Sequence, residues 1–550
     1  MDSNNGQGAI SPEQSLSVRG GYGLSWILAG SVILLTVLFK LYVVCLANFD
    51  LTFDEAYYWH WSKNLDWCYF SKGPGIALMI RATTGIFGDT ELGIRSGAIF
   101  CSTMTICLLY VWTRSFFRSS KTALLTVVLF SASPFLTGLG MLSTIDSPMV
   151  LLWTLASVCL WKAIETDQYR WWMMVGIAVA VGTEFKFTML FFLVSILLAV
   201  LSSTGGLRRL RQGRWLVPVV FILFALLPIL LWNVSNDWIT FDHTMKKASP
   251  RGTESLLTWR HLAPSIGQQW GVMSPLIALG VLVAMVCLLR DGMRYKAGVD
   301  RLEQRKAAFL LSVASPILVF YSLLAFHRTV EANWMAPAYV TLIPAAAFYW
   351  LRPFTRTQQV GLAAAIIIGM AMQIPLVLGN SLYDAQIPAM LTRMGLPFRP
   401  TLDVTNRVRG WKELGDLAAR EARRWEENTG RPVFFFADHY SLAALVGFYA
   451  KSPDRVFSIP SPTPQNQFDV WAIQGRRPPE GSVGISVYDL AKAGRLADPF
   501  FEGKTTDYSP GSFSRGGFLV RTYLFRVMEN YQGNDRWLEL ANLVTDPSLR

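Results

Sequence analysis

Residues 24–46 read LSWILAGSVILLTVLFKLYVVCL. A helix rising about 1.5 Å per residue needs roughly 20 apolar residues to cross a hydrocarbon core of about 30 Å, and this run is long enough. It exceeds the about 7–15 residues of a signal-peptide core and runs on into Asn48 to Asp54, so it is read as a retained span. Comparable runs lie near 94–112, 122–138, 147–164, 170–183, 187–203, 215–232, 272–289, 307–326, 334–351 and 360–378. About eleven spans are expected, and the turn between the fifth and sixth, which carries Glu184 and Lys186, must be tight. Over the 550 residues, 52% are hydrophobic and only 16% charged, a balance that excludes a soluble globular chain. The expected class is a polytopic α-helical membrane protein with an extracytoplasmic C-terminal domain.

Basic residues set the orientation, because short cytoplasmic loops are enriched in Lys and Arg. Every second loop is basic: Arg114, Arg118 and Lys121; Lys162 and Arg170; Arg208, Arg209, Arg211 and Arg214; Arg290, Arg294, Lys296, Arg301, Arg305 and Lys306; Arg352 and Arg356. This places the N-terminus inside, and residues 47–92 and 379–550 outside. The same loops account for most of the +12 net charge, so no nucleic-acid partner is needed to explain it.

Five of the six cysteines fall in or at the ends of spans and Cys68 stands alone in the first outer loop, which gives no disulfide framework and no metal knuckle. Residues 379–550 read as a mixed α/β domain. Strands are expected at Arg431–Asp438, Val483–Tyr488 and Gly517–Phe525, with helices at Trp411–Glu426 and Ser441–Tyr449. The chain has no internal repeat, Walker loop or dinucleotide fingerprint.

The first outer loop contains Asp54-Glu55-Ala56-Tyr57-Tyr58-Trp59 and Asp66-Trp67-Cys68-Tyr69-Phe70-Ser71-Lys72-Gly73-Pro74. Acids beside a membrane helix are costly to dehydrate and mark function; the plain alternative is a solvated loop with an interfacial aromatic belt. Residues 54–95 resemble the first periplasmic loop of the family 39 glycosyltransferases of the GT-C superfamily, which includes protein O-mannosyltransferases and bacterial lipid A aminoarabinose transferases. Four more segments match in order: Ser143 to Pro148, Gly182 to Thr188, Asn236 to Phe241 and Glu331 to Tyr339.

The resemblance implies transfer of a sugar from a polyprenyl-phosphate donor, whose tail stays in the bilayer, to a lipid, glycan or protein acceptor at the outer face of a bacterial inner membrane. It implies Asp54 as the catalytic base, with Glu55 assisting it or organising the loop. Lys72 and Lys186 would hold the donor phosphate and Tyr69 would contact the phosphate or sugar. Asp146 would orient Lys186 by an ion pair, or cap its helix ahead of Pro148. Asn333 and Trp334 would support the donor site, Trp334 being equally readable as a belt residue. His243, Lys246, Lys247 and His327 are explained by a basic loop without catalysis.

Against the aminoarabinose-transferase pattern, Ser71 stands where an acid is usual, Gly73-Pro74 replaces a pair of prolines, and Tyr57 stands where arginine is common. The missing acid weakens the case for a metal, and with two lysines available to a phosphate no metal or other cofactor is expected. The missing arginine weakens the case for an aminoarabinose donor. The rival classes are an ion-coupled transporter and a flippase or ligase of lipid-linked sugars. The charged residues lie at one membrane face, with no midplane acid pair or inverted repeat, which speaks against the carrier. A reporter active only in the cytoplasm, fused after Leu378, is expected to be silent; strong activity would overturn the topology.

Overall fold

The computed structural model describes residues 12–248, 259–293, 301–352, 355–377, 387–395, 403–459, 461, 464–489, 504–515 and 518–533. The protein is a polytopic helical membrane protein with a C-terminal sheet domain. Each of the eleven apolar runs is largely helical over its described residues, and the third is divided at Ser133, whose hydroxyl caps the short helix Pro134–Leu139. Among the described residues, seven helices are long and apolar enough to cross a membrane, by length and composition: Gly23–Leu46, Glu91–Phe117, Asp146–Thr166, Arg214–Val234, Pro275–Gly292, Leu302–Leu324 and Arg356–Val377.

Two of the basic-loop residues also fix a helix end. Arg209 donates to the carbonyl of Ile164 at 2.8 Å and Arg214 pairs with Asp167 at 2.7 Å. Both cations therefore sit at the C-terminal end of Asp146–Thr166, the end of a helix that favours positive charge. Arg294 and Lys296 of the same series, and the boundary at residue 379, lie outside the described residues.

Residues 47–92, expected as a loop, fold into two helices, Phe53–Lys63 and Gly75–Phe87. The first begins at a capping box, in which the Thr52 hydroxyl accepts from the Glu55 amide while the Glu55 carboxylate accepts from the Thr52 amide at 2.9 Å. Its residues 55 to 62 are all buried. With every face covered, it shows no 3.6-residue alternation of apolar and polar residues, the signal that marks an amphipathic helix in a sequence.

Glu55 is the anchor of this region. Its carboxylate takes Arg95 in a fork, Nε to Oε1 and Nη2 to Oε2, both at 2.9 Å, and also accepts from the amide of Ser143 at 2.9 Å. The same guanidinium donates to the carbonyls of Phe49 and Asp50 at 2.9 and 2.7 Å. Both side chains are essentially unexposed, at 2% and 0%.

The C-terminal domain carries a five-stranded sheet of order β2-β1-β3-β5-β4, with β1 Val433–Ala437, β2 Val456–Ser458, β3 Val483–Asp489, β4 Thr505–Arg515 and β5 Phe518–Met528. The first three are parallel and β5 and β4 join antiparallel. The expected strands are β1, β3 and β5, and the expected helices are Trp411–Thr429 and Tyr440–Tyr449. β1 is buried at all five positions, which is why it reads as an unbroken apolar run. β2 has only three residues, and β4 (TTDYSPGSFSR) has few apolar residues and a register irregularity, so neither carries a strand pattern.

The domain is not packed on its own. Tyr57, Tyr58, Trp59 and Trp61 share one core with Leu442, Leu445, Phe448, Phe468 and Trp471. Leu51 donates its amide to the Tyr449 hydroxyl, Phe70 to the Gln467 side chain and Trp411 to the Asp50 carboxylate, each at 2.7 Å. Removing one partner of a buried ion pair leaves the other uncompensated, at a cost of about 3–5 kcal/mol. Arg95→Met is therefore expected to lower the melting temperature of the detergent-solubilised protein by several degrees, and an unchanged melting curve would contradict the anchoring role of the pair.

Candidate active site

Asp54 and Glu55 both occupy the first turn of Phe53–Lys63, where the helix dipole favours anions. Successive helical residues point about 100° apart, and the two carboxylates have different fates. Burial opposes the charge on Glu55, but Arg95 outweighs it and holds the carboxyl below its usual range. Of the two roles expected for Glu55, the structure gives it the organising one: its oxygens are occupied by Arg95, Ser143 and Thr52, and this geometry offers no support for a catalytic part. Asp54 is only half-buried, and among the described residues no hydrogen bond holds its carboxylate. Burial raises it above the ordinary carboxylate range, against the pull of Lys72.

Lys72 is presented by a tight turn in which the Tyr69 amide donates to the Lys72 carbonyl at 2.9 Å. The turn presses on the end of the Tyr169–Phe185 helix so closely that a Cβ at Gly73 would lie 2.7 Å from the Glu184 carbonyl, which explains the glycine. Lys72 Nζ reaches Ser71 Oγ at 3.3 Å and lies 5.4 Å from the centre of the Tyr58 ring. Burial pulls Lys72 down to about 8, with Lys247 and Lys186 acting in the same direction and Asp54 against it.

The expected contact of Tyr69 with the donor has no support in this geometry. Its ring is fully buried and stacked on Trp61 at 4.3 Å, and its hydroxyl donates to the carbonyls of Trp61 and Asn64 while accepting from the Asp66 amide. Tyr69 is a pillar of the turn that aims Lys72.

Lys186 and Asp146 form the expected ion pair, Nζ to Oδ1 at 2.7 Å, and Asn333 donates to Asp146 Oδ2 at 2.8 Å. Asp146 does not cap its helix. The N-cap position is Ile145, with no side-chain bond, and the Asp146 carboxylate is turned toward Lys186 instead. Trp334 packs against Tyr321 with the rings tilted and 5.3 Å apart and the Arg328 guanidinium 5.5 Å from its ring, a packing position beside Asn333.

Two residues passed over in the sequence sit at this site. The charge of Lys247, on the helix Ile239–Ala248, acts on Lys72 and is itself acted on by Asp54 and Lys186. His243 lies 4.5 Å from Phe70, and burial together with Lys247 and Lys72 pushes it down to about 4, which keeps it neutral. Asp242 and Lys246, four apart, pair with each other at 2.6 Å, so Lys247 turns to another face. Among the described residues no group of three or more His, Cys, Asp or Glu is placed to hold a metal ion.

Residues 71–232 match the family described as dolichyl-phosphate-mannose-protein mannosyltransferase. The chain is 27% identical over 317 residues to the lipid A galacturonosyltransferase RgtD of Rhizobium johnstonii, covering 56% of this chain and 63% of that protein. It is 24% identical over 271 residues to the undecaprenyl phosphate-alpha-4-amino-4-deoxy-L-arabinose arabinosyl transferase of Yersinia pestis, covering 46% of each. The chain thus aligns with about half to two thirds of the length of these curated relatives. Its fold is similar to that of ArnT from Cupriavidus metallidurans. The TM-score is 0.59 at 16% identity for the apo crystal structure, covering 93% of this chain and 98% of that one. It is also 0.59, at 17% identity, for the structure bound to undecaprenyl phosphate, covering 91% and 97%. Over residues 71–232 the chain is thus similar to this mannosyltransferase family, and in fold it is similar to ArnT.

Proposed function

We propose that this protein transfers a sugar from a polyprenyl-phosphate donor to a lipid-borne saccharide acceptor at the outer face of a bacterial inner membrane. The observation that carries the reading is the set of three lysines, 72, 186 and 247, whose charges act on one another beside an unbonded carboxylate. Mutual repulsion of cations in a partly dehydrated site is relieved by a bound anion, and a lipid phosphate brings the charge required. The names of the relatives, both transferases and one acting on lipid A, support the same donor and acceptor classes.

In the proposed step the acceptor oxygen attacks the anomeric carbon of the donor while Asp54 removes its proton. The bond from that carbon to the phosphate oxygen breaks, the anomeric centre inverts, and the lipid phosphate leaves against Lys72 and Lys186. Asp146 and Asn333 position Lys186 for this work. Because Asp146 already neutralises Lys186, Lys72 is the more available charge. The leaving charge is met by lysines, so no step calls on a metal.

Asp54→Asn keeps the shape of the side chain and removes the base, so turnover is expected to fall about 100-fold or more with donor affinity nearly unchanged. Lys72→Ala is expected to weaken donor binding and slow the single-turnover rate together. Near-normal turnover in Asp54→Asn would refute the mechanism.

The pH dependence follows from Lys72. Its folded value of about 8 means that the charge is present below pH 8 and lost above it. A bound phosphate stabilises the charged form, so donor affinity should be level below pH 8 and decline above it. Lys72→Met should bind more weakly and lose this limb, and an identical pH profile in that variant would remove Lys72 from the phosphate site.

A further inference from the structure

The outer domain reaches the site through the turn that follows β1. Asp438 and His439 are exposed there, and Tyr440, half-buried, opens the helix Tyr440–Tyr449. That helix lies against Phe53–Lys63, where His60 Nε2 is 3.2 Å from the Ala444 carbonyl and a Cβ at Gly447 would meet the His60 ring at 2.6 Å. The contact puts the Tyr440 ring 4.6 Å from that of Tyr57. Tyr57 is one helical turn beyond Asp54 and shares its face. On the other side the His439 ring is 4.6 Å from Tyr440, and its Nδ1 is 2.6 Å from Ser441 Oγ.

The sheet topology gives independent reason to look here. β1 lies between β2 and β3, both parallel to it, so the chain leaves β1 toward one neighbour and later crosses to the other. In open α/β sheets the carboxyl ends of strands at such a switch point are where ligands bind.

We propose that the turn Asp438–Ser441 is the acceptor subsite, with Tyr440 a specificity-determining platform on which a sugar ring of the acceptor rests so that its hydroxyl meets Asp54. This rests on the reading of Asp54 as the base for the acceptor. A tyrosine ring offers a rigid surface to the apolar face of a pyranose, while carboxylate, imidazole and hydroxyl groups beside it match the ring hydroxyls. An extended peptide would instead take an unpaired sheet edge, and β1 is paired on both sides. Burial and the Asp54 charge together push the Tyr440 hydroxyl up to about 12, which keeps it a neutral donor and agrees with its nearness to the base.

The test is retention of lipid A and, separately, of undecaprenyl phosphate by the full-length protein in detergent, measured by native mass spectrometry. Tyr440→Ala is expected to hold lipid A about tenfold more weakly than wild type with undecaprenyl phosphate unchanged. Tyr440→Phe, which keeps the ring, should stay close to wild type. Equal lipid A retention in wild type and Tyr440→Ala overturns the subsite, as does a parallel loss of both lipids or a wild-type protein that retains no lipid A. A wild-type protein that retains both lipids, with the Tyr440→Ala difference, yet transfers no sugar contradicts the transferase reading while still supporting the subsite.

Discussion

The fork between Glu55 and Arg95 ties residues 49–55 to Arg95 and to Ser143, which are far apart in the chain. Through the Phe49 and Asp50 carbonyls it fixes the exit of the first span, through the Thr52 cap it starts the helix that bears Asp54, and through the Ser143 amide it holds the segment leading to Asp146. A buried ion pair contributes little net stability over an apolar pair, but it tolerates few geometries because each lost bond leaves a buried charge unmet. That intolerance gives the pair its use here. Asp54 is the neighbour of Glu55 in a capped helical turn, and Asp146 follows Ser143 by three residues, so one salt bridge governs the placement of both carboxylates.

Charge at the site is divided by partner. Lys186 is already neutralised by Asp146, whose second oxygen is held by Asn333. Lys72 has a serine hydroxyl and a tyrosine ring and is pulled down to about 8. The difference suits two tasks, since a paired lysine is held in place and an unpaired one gains most from an incoming phosphate. The close approach of Gly73 to Glu184 brings the two lysine-bearing turns together, and a side chain at that position would drive them apart.

Much of this was legible. Apolar runs of span length gave the membrane helices, and β1, β3 and β5 were read from apolar, β-branched and aromatic runs. The site residues came from the motifs around Asp54, Lys72, Asp146, Lys186 and Asn333, which the fold brings to one face. What escaped was whatever depends on burial from two sides. The helix Phe53–Lys63 lies between the membrane bundle and the outer domain and so has no polar face to mark it. Tyr69 was read as a ligand because it precedes Lys72, whereas its hydroxyl bonds identify it as a pillar. Lys247 and Tyr440 belong to the site only through tertiary contact, which spacing along the chain does not encode.

The central claim is that a lipid phosphate sits between Lys72 and Lys186 with Asp54 facing the reacting carbon. An experimental density map of the protein with undecaprenyl phosphate added tests it most directly. The account expects phosphate density within hydrogen-bond reach of Lys72 Nζ, on the Lys186 side of the cleft and opposite Asp54. Phosphate density elsewhere in the bundle, with Lys72 still turned to Ser71, would contradict it.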